Sequence, residues 1–241
     1  MKNRPSSIPK EILIFDCDGV LVDSEIIAER VLRECLGDWL PDLHAENELR
    51  QALGMTTAAI LDKLARRSVH DLPQDALGHI ERTIDARLAT DLQAIERVAE
   101  TIEGLGMPLA IVSNSGPQRV KISLQCTGLS SVLTQSLDEV PLFTAEQVER
   151  PKPDPDVYQL AARTLGYAPE ECLVVEDSVS GVTAAHAAGM TVIGFIGASH
   201  IEPGHDRRLE QAGAWHVMSD MRELASLVQR WRERRRLVVE G

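Results

Sequence analysis

Aromatic side chains are nearly missing from this chain of 241 residues: three Trp, two Tyr and three Phe make up 3% of it. Its core must be filled by Leu, Val, Ile and Ala, which suits helices packed on a buried sheet better than a β-sandwich. Close cysteine pairs are missing too. Cys17, Cys35, Cys126 and Cys172 stand far apart, which excludes a metal finger or a disulfide framework and leaves free thiols in a reducing compartment. No apolar stretch is long enough to span a bilayer, and no apolar signal run follows the opening MKNRPSSIPK. Positive charge is short, since 25 Lys and Arg against 37 Asp and Glu leave a formal net charge of -12. Such a surface repels nucleic acid and anionic membranes, so neither is expected as a partner. The expectation is a soluble cytoplasmic protein, a monomer or small homo-oligomer.

What is present has a clear texture. Ile12-Leu13-Ile14-Phe15 is a short apolar run that stops at an acidic cluster, as a fully buried parallel strand would. Pro108–Val112, Cys172–Val175 and Thr191–Phe195 read the same way. PQRVKISLQC, PDVYQLAARTLG and SGVTAAHAAGM read as the helices between them, the last two closed by Gly166 and Gly189. Strands alternating with helices predict an α/β fold, a Rossmann-like parallel sheet with helices on both faces. From Ser24 to Leu92 the strand runs vanish, and only amphipathic patterns such as EIIAERVLRECLG and ALGHIERTIDARL remain. This predicts a catalytic core of 1–23 and 93–241 interrupted by an all-helical domain of 24–92. A cleft between two domains commonly holds ligands. Val20–Ser24 and Thr90–Ile95 would be the hinge strands. The basic run RWRERRR reads as a solvated helix end, with an interaction tail as the alternative.

Ligands of open α/β sheets bind beyond the carboxyl ends of the strands. There the chain places Asp16-Cys17-Asp18-Gly19, Ser113-Asn114-Ser115 and Glu176-Asp177-Ser178, and Pro151-Lys152-Pro153 precedes a later helix. Singly, each has a structural reading. Asp16 and Asp18 could make a turn, Ser113 could begin a helix, Asp177 or Ser178 could be an N-cap, and Lys152 could be an ordinary loop lysine. Together they deliver carboxylates, a hydroxyl and an ammonium to one rim.

On FDCDGVLVDSE, IVSNS, the lysine of PKPDP and VVEDSVSGVTAAHAAGM, the chain resembles the haloacid dehalogenase superfamily of phosphohydrolases. The likeness runs from about Glu11 to Phe195. Its helical insertion is similar to the cap of the sugar-phosphate phosphatase and β-phosphoglucomutase branch. The resemblance implies a small phosphorylated metabolite as substrate and Mg²⁺ as cofactor. Asp16 would be the nucleophile, and Asp18 the general acid and base. Gly19 would allow the sharp turn beside the phosphate. Asp16, the Asp18 carbonyl and Asp177 would hold the ion, with Glu176 a further ligand or an acceptor for its water. Ser113 and the N–H of Asn114 would bind phosphoryl oxygens, and Lys152 would offset the negative charge there.

The same resemblance separates the chemistries. Carbon–halogen-cleaving members lack an acid at the position of Asp18 and need no metal, so dehalogenation is not expected. Phosphonate hydrolysis uses a cap lysine, and Lys63 alone stands in the insertion, where it reads as a surface residue. The related mutases carry a basic residue just after a glycine that matches Gly54. Here Met55-Thr56-Thr57 follows. This favours a phosphomonoesterase over a mutase, the resemblance implying a sugar or sugar-acid phosphate as substrate, and marks Met55 and Thr56 as candidate specificity residues. The histidines, His186 and His200 included, show no metal-ligand spacing and read as surface or satisfied core residues.

Overall fold

The structure is a computed structural model that describes residues 10–50, 57–133 and 140–240. In chain order its elements are β1 (Ile12–Phe15), α1 (Glu25–Trp39), α2 (Ala45–Arg50), α3 (Thr57–Ala65), α4 (Ala76–Asp91), α5 (Val98–Leu105), β2 (Leu109–Ser113), α6 (Pro117–Cys126), α7 (Leu129–Leu133), β3 (Leu142–Thr144), α8 (Asp156–Leu165), β4 (Cys172–Glu176), α9 (Val179–Ala187), β5 (Thr191–Phe195), α10 (His205–Ala212), β6 (His216–Met218) and α11 (Leu224–Glu240). They group into two compact units, Met1–Asp23 with Gln93–Gly241, and Ser24–Leu92.

The first unit is built on six parallel strands in the order β3-β2-β1-β4-β5-β6. The apolar runs of β1, β2 and β4 are buried along their whole length, as strands covered on both faces must be. Ile12 and Ile14, two apart and therefore on one face, pack with Val157 and Ala161 of α8 and Val182 and Ala185 of α9. The chain winds outward from β1 through β2 to β3, then returns to β4 on the other side of β1. That reversal makes the carboxyl edge between β1 and β4 the topological switch point. The register opposes Phe15 to both Ile111 and Val175, so the residues after these strands leave the sheet side by side.

Four strands lie where the apolar runs predict them, β2 and β4 running one residue further, through Ser113 and Glu176. The edge strands β3 and β6 have only three residues each, LFT and HVM, too short to show a period. Where the sequence predicts the hinge strands, Asp23 N donates to Gln93 O at 3.0 Å, Ile95 N donates to Leu21 O at 2.9 Å, and Val22 and Ala94 form an antiparallel bridge. Thr90 is not part of it; α4 continues through Asp91 because its apolar period persists to Leu88.

The second unit is helical. On α1, Ile27, Val31 and Cys35 repeat every four residues, and on α4 Ile80, Ile84 and Leu88 do the same. These stripes pair the two helices. Among the described residues no helix is long and apolar enough to cross a membrane.

Ile14 is fully buried in the central strand, so Ile14→Ala should cost about 2–5 kcal/mol. Urea unfolding should show this as a lower midpoint with an unchanged slope, and a loss well under that range would mean that the core relaxes into the gap.

Candidate active site

Asp16 follows the last residue of β1 and is still held by the sheet, its N–H donating to Val175 O at 3.0 Å. The chain then folds back tightly: Leu21 N and Val22 N both donate to Cys17 O, at 2.9 and 3.1 Å, and Gly19 N donates to Val22 O at 2.8 Å. Gly19 has φ of 78°, a left-handed conformation that L side chains disfavour. A Cβ there would lie 1.9 Å from Asp177 Oδ2. The missing side chain is what lets the carboxylate after β4 approach the loop after β1.

Lys152 arrives from the loop before α8, and its side chain is 3% exposed. Its Nζ donates to Asp16 Oδ1 at 2.5 Å, Glu176 Oε1 at 2.7 Å and Val112 O at 3.0 Å. Three acceptors for three ammonium protons leave no buried donor unsatisfied. The acceptors come from the ends of β1, β4 and β2, three adjacent strands. Burial alone would lower the Lys152 pKa, but the Asp16 and Glu176 carboxylates override it and hold the ammonium well above its ordinary value. Burial pushes Asp16 in the opposite sense, well above the usual carboxylate range; Lys152 opposes this, while Glu176, Asp177 and Asp18 add to it.

Glu176 has 0% exposure and both of its oxygens are already engaged. Oε1 accepts from Lys152 and from Tyr158 Oη at 2.9 Å. Oε2 accepts from Ser178 N at 3.2 Å and Ser178 Oγ at 3.0 Å. Ser178 Oγ in turn accepts from Gly181 N at 2.9 Å, the N-cap bond of α9. The Tyr158 hydroxyl is pushed well above its ordinary pKa by burial and then by Glu176, so it stays a donor.

Asp18 is half-buried. Its Oδ2 accepts from Ser115 Oγ at 2.7 Å and lies 3.5 Å from Ser113 Oγ. Ser113 Oγ also accepts from Ser115 N at 3.0 Å. The Asn114 amide grips the lysine loop by its backbone, Nδ2 donating to Lys152 O at 3.4 Å and Oδ1 accepting from Lys152 N at 3.3 Å. The structure therefore gathers Asp16, Asp18, Ser113, Asn114, Lys152, Glu176 and Asp177 at one edge of the sheet. Met55 and Thr56 lie outside the described residues.

Carboxylate oxygens of Asp16, Glu176 and Asp177 all lie within 4.8 Å of one another. Opposite ligands of a hard divalent ion such as Mg²⁺ are about 4.2 Å apart, so small side-chain movements would let these oxygens close on one. The charge balance points the same way, since one ammonium stands against three buried carboxylates. Glu176 fits least, because its lone pairs already serve Lys152, Tyr158 and Ser178.

Several contacts here are not visible in the motif pattern. His200 is not a bystander: its Nε2 is 3.3 Å from Asp177 Oδ2, and His205 Nε2 is 2.5 Å from Asp177 O. His200 lies in the irregular segment after β5 and His205 opens α10, and the spacing of the two carries no metal-ligand signal. Ser115 reaches Asp18 through the geometry of one turn. Tyr158 left a faint trace. It stands on the buried face of α8 with Val157, Ala161 and Ala162, and a phenol on an apolar face needs a buried acceptor.

Gly181 tests how closely this cluster is packed. A Cβ there would fall 1.7 Å from Glu176 Oε1, so Gly181→Ala should destabilise by about 1–3 kcal/mol. Gly104→Ala, inside α5 with nothing within 4 Å of the added methyl, should instead stabilise by about 0.5–1 kcal/mol. Denaturant midpoints of the pair decide the matter, and equal shifts would mean that Glu176 moves aside freely.

Comparison with known proteins agrees with this geometry. Residues 13–195 match the model of the haloacid dehalogenase-like hydrolase family. The 6-phosphogluconate phosphatase of Escherichia coli (strain K12) is 30% identical over 80% of this chain and 86% of its own length. Hexitol phosphatase A of the same organism is 35% identical over 75% of this chain and 80% of its own. The crystal structure of a HAD family hydrolase from Deinococcus radiodurans R1 with bound phosphate and sodium is 33% identical, covers 92% of this chain and 96% of that one, and superposes with a TM-score of 0.77. This chain belongs to the haloacid dehalogenase-like hydrolase family.

Proposed function

We propose that this protein is a Mg²⁺-dependent phosphomonoesterase that hydrolyses a sugar or sugar-acid phosphate through an aspartyl phosphate on Asp16. The observation that carries the reading is the different treatment of two carboxylates two residues apart. Asp16 is buried on the Lys152 ammonium, 2.5 Å away, whereas half-buried Asp18 takes a hydrogen bond from Ser115. Environments that differ this much assign different roles to like groups.

An Oδ of Asp16 attacks phosphorus, and the bond to the leaving oxygen breaks. Lys152 offsets the charge that Asp16 and the phosphoryl oxygens share. Asp18 delivers its proton to the departing alkoxide, then removes one from the water that attacks the aspartyl phosphate. Inorganic phosphate leaves and Asp16 is restored. Ser113 and the Asn114 N–H take phosphoryl oxygens. Asp16, Asp177 and the Asp18 carbonyl would hold Mg²⁺, which would supply positive charge for a phosphoryl group approaching buried carboxylates. Glu176 acts on the ion's surroundings rather than as a ligand, by fixing Lys152 and the Ser178 turn.

Two phosphatase relatives, one named for a sugar-acid phosphate and one for hexitols, support the substrate class. The helical unit Ser24–Leu92 is proposed as the module that selects the leaving group, with Met55 and Thr56 as its specificity residues. The absence of Arg or Lys from Met55-Thr56-Thr57 supports transfer to water over return to sugar.

Phosphate release from a panel of sugar phosphates should require Mg²⁺, stop with chelator and recover on adding the ion back, while Asp16→Asn should release none. Isomerised sugar phosphate without free phosphate would replace hydrolase by mutase. Asp18→Asn should lower kcat on a sugar phosphate by about 10²–10⁴, and much less on p-nitrophenyl phosphate, whose leaving group needs no proton. Equal losses on both would remove Asp18 from the acid role. Saturating Mg²⁺, at about a hundred times its Kd, should stabilise the fold by about 2.7 kcal/mol. A thermal shift should report this, and Asp177→Asn should weaken it; an equal shift in both proteins would place the ion elsewhere.

A further inference from the structure

The basic run near the end of α11 has no part in the acidic cluster. It lies beside a cavity of roughly 440 Å³ whose lining includes Val192, Trp215, Trp231, His186, Arg234 and Arg235. Thr191, where β5 begins, is also in the lining. Because the strands are all parallel, the start of β5 faces away from the carboxyl edge that carries Asp16 and Asp177. The cavity is therefore separate from the candidate active site.

Its walls use two of the three tryptophans in the chain. Arg234 and Arg230 stand over the Trp215 ring at 6.0 and 5.6 Å, and Arg235 stands over the Trp231 ring at 4.9 Å. A guanidinium stacked by its face still has its N–H edge available for an anion. Arg235 gives part of that edge to Glu11, at 3.3 Å. Arg230 and Arg234 have no carboxylate partner among the described residues, in a chain of net charge -12 where carboxylates abound. Trp231 is 1% exposed, and its Nε1 has no hydrogen-bond partner among the described residues. A buried donor left so calls for an explanation. Glu170 is the one carboxylate in the lining. The volume falls within the range of small-ligand pockets, and flat apolar walls with cations at the rim match one kind of molecule.

We propose that this cavity is a second binding site, which takes a planar aromatic acid. The ring lies against Trp215, the partly exposed indole of the lining, and its carboxylate or phosphate meets the guanidinium edges of Arg234 and Arg235. The basic run is then an anion receiver, not merely a solvated helix end.

The test titrates indole fluorescence of the full chain carrying Asp16→Asn with two acids and their uncharged counterparts: nicotinate against nicotinamide, and AMP against adenosine. At least one acid should quench saturably, with an affinity at least about tenfold above that of its neutral counterpart, one charge-assisted contact being worth about that factor. Which acid binds distinguishes a carboxylate ligand from a phosphate one. Adding Arg234→Ala should weaken binding about tenfold. In the otherwise wild-type chain, Arg234→Ala should leave phosphate release and the far-ultraviolet circular dichroism unchanged, as Arg234 is exposed and remote from the carboxyl edge. No saturable quenching by either acid, equal binding of acid and neutral counterpart, or binding that Arg234→Ala leaves unweakened would each overturn the proposal. The binding outcomes stand apart from the phosphatase reading, on which only the phosphate-release control rests.

Discussion

A single ammonium group organises the carboxyl edge of this sheet. Lys152 Nζ ties together the ends of β1, β4 and β2 through Asp16, Glu176 and Val112. Removing one member of such a set leaves charges buried without compensation, at a cost of several kcal/mol. The surrounding contacts keep the ammonium in place. Asn114 fixes the backbone of Lys152, while Tyr158 and Ser178 fix Glu176. Close packing of Gly181 against the Glu176 carboxylate closes the cluster from the α9 side. Rigid placement of this kind is what a phosphoryl-transfer site needs, because most of its catalysis is positioning and electrostatics.

The site also reconciles an acidic protein with an anionic substrate. Net charge of -12 describes the whole surface, but a substrate meets the local field. At this edge Lys152 and a divalent ion would together carry three positive charges against the three buried carboxylates, cancelling the local negative field over a few ångströms. Burial first, and then the neighbouring carboxylates, push the Asp16 carboxyl upward, and those same carboxylates are what would favour binding a cation.

How much of this was legible in the sequence follows from what periodicity can encode. β1, β4 and β5 carry short, mainly apolar runs, so their existence was readable and their ends to within one residue, and with them the positions of Asp16 and Asp177. β3 and β6 are three-residue edges defined by pairing, and pairing is a property of the assembled sheet. α2 is a single short helix of polar sequence, AENELR, without an apolar stripe to announce it. Motif spacing brought Asp18, Ser113 and Lys152 to one rim, but hydrogen bonds among side chains depend on distances that spacing does not contain. The approach of His200 to Asp177 and the engagement of both Glu176 oxygens belong to that second kind.

The parallel strand order has a consequence for synthesis. Asp16 is made early, yet its neighbour β4 lies more than half the chain away, across the return from β3 to the other side of β1. A nascent chain that ends before Cys172 can pair β1 with β2 and β3, but it presents the far edge of β1 bare, and Lys152 then lacks Glu176. Such an exposed, apolar edge invites pairing with other chains. Competence for chemistry and protection from aggregation thus arrive together, with the same strand.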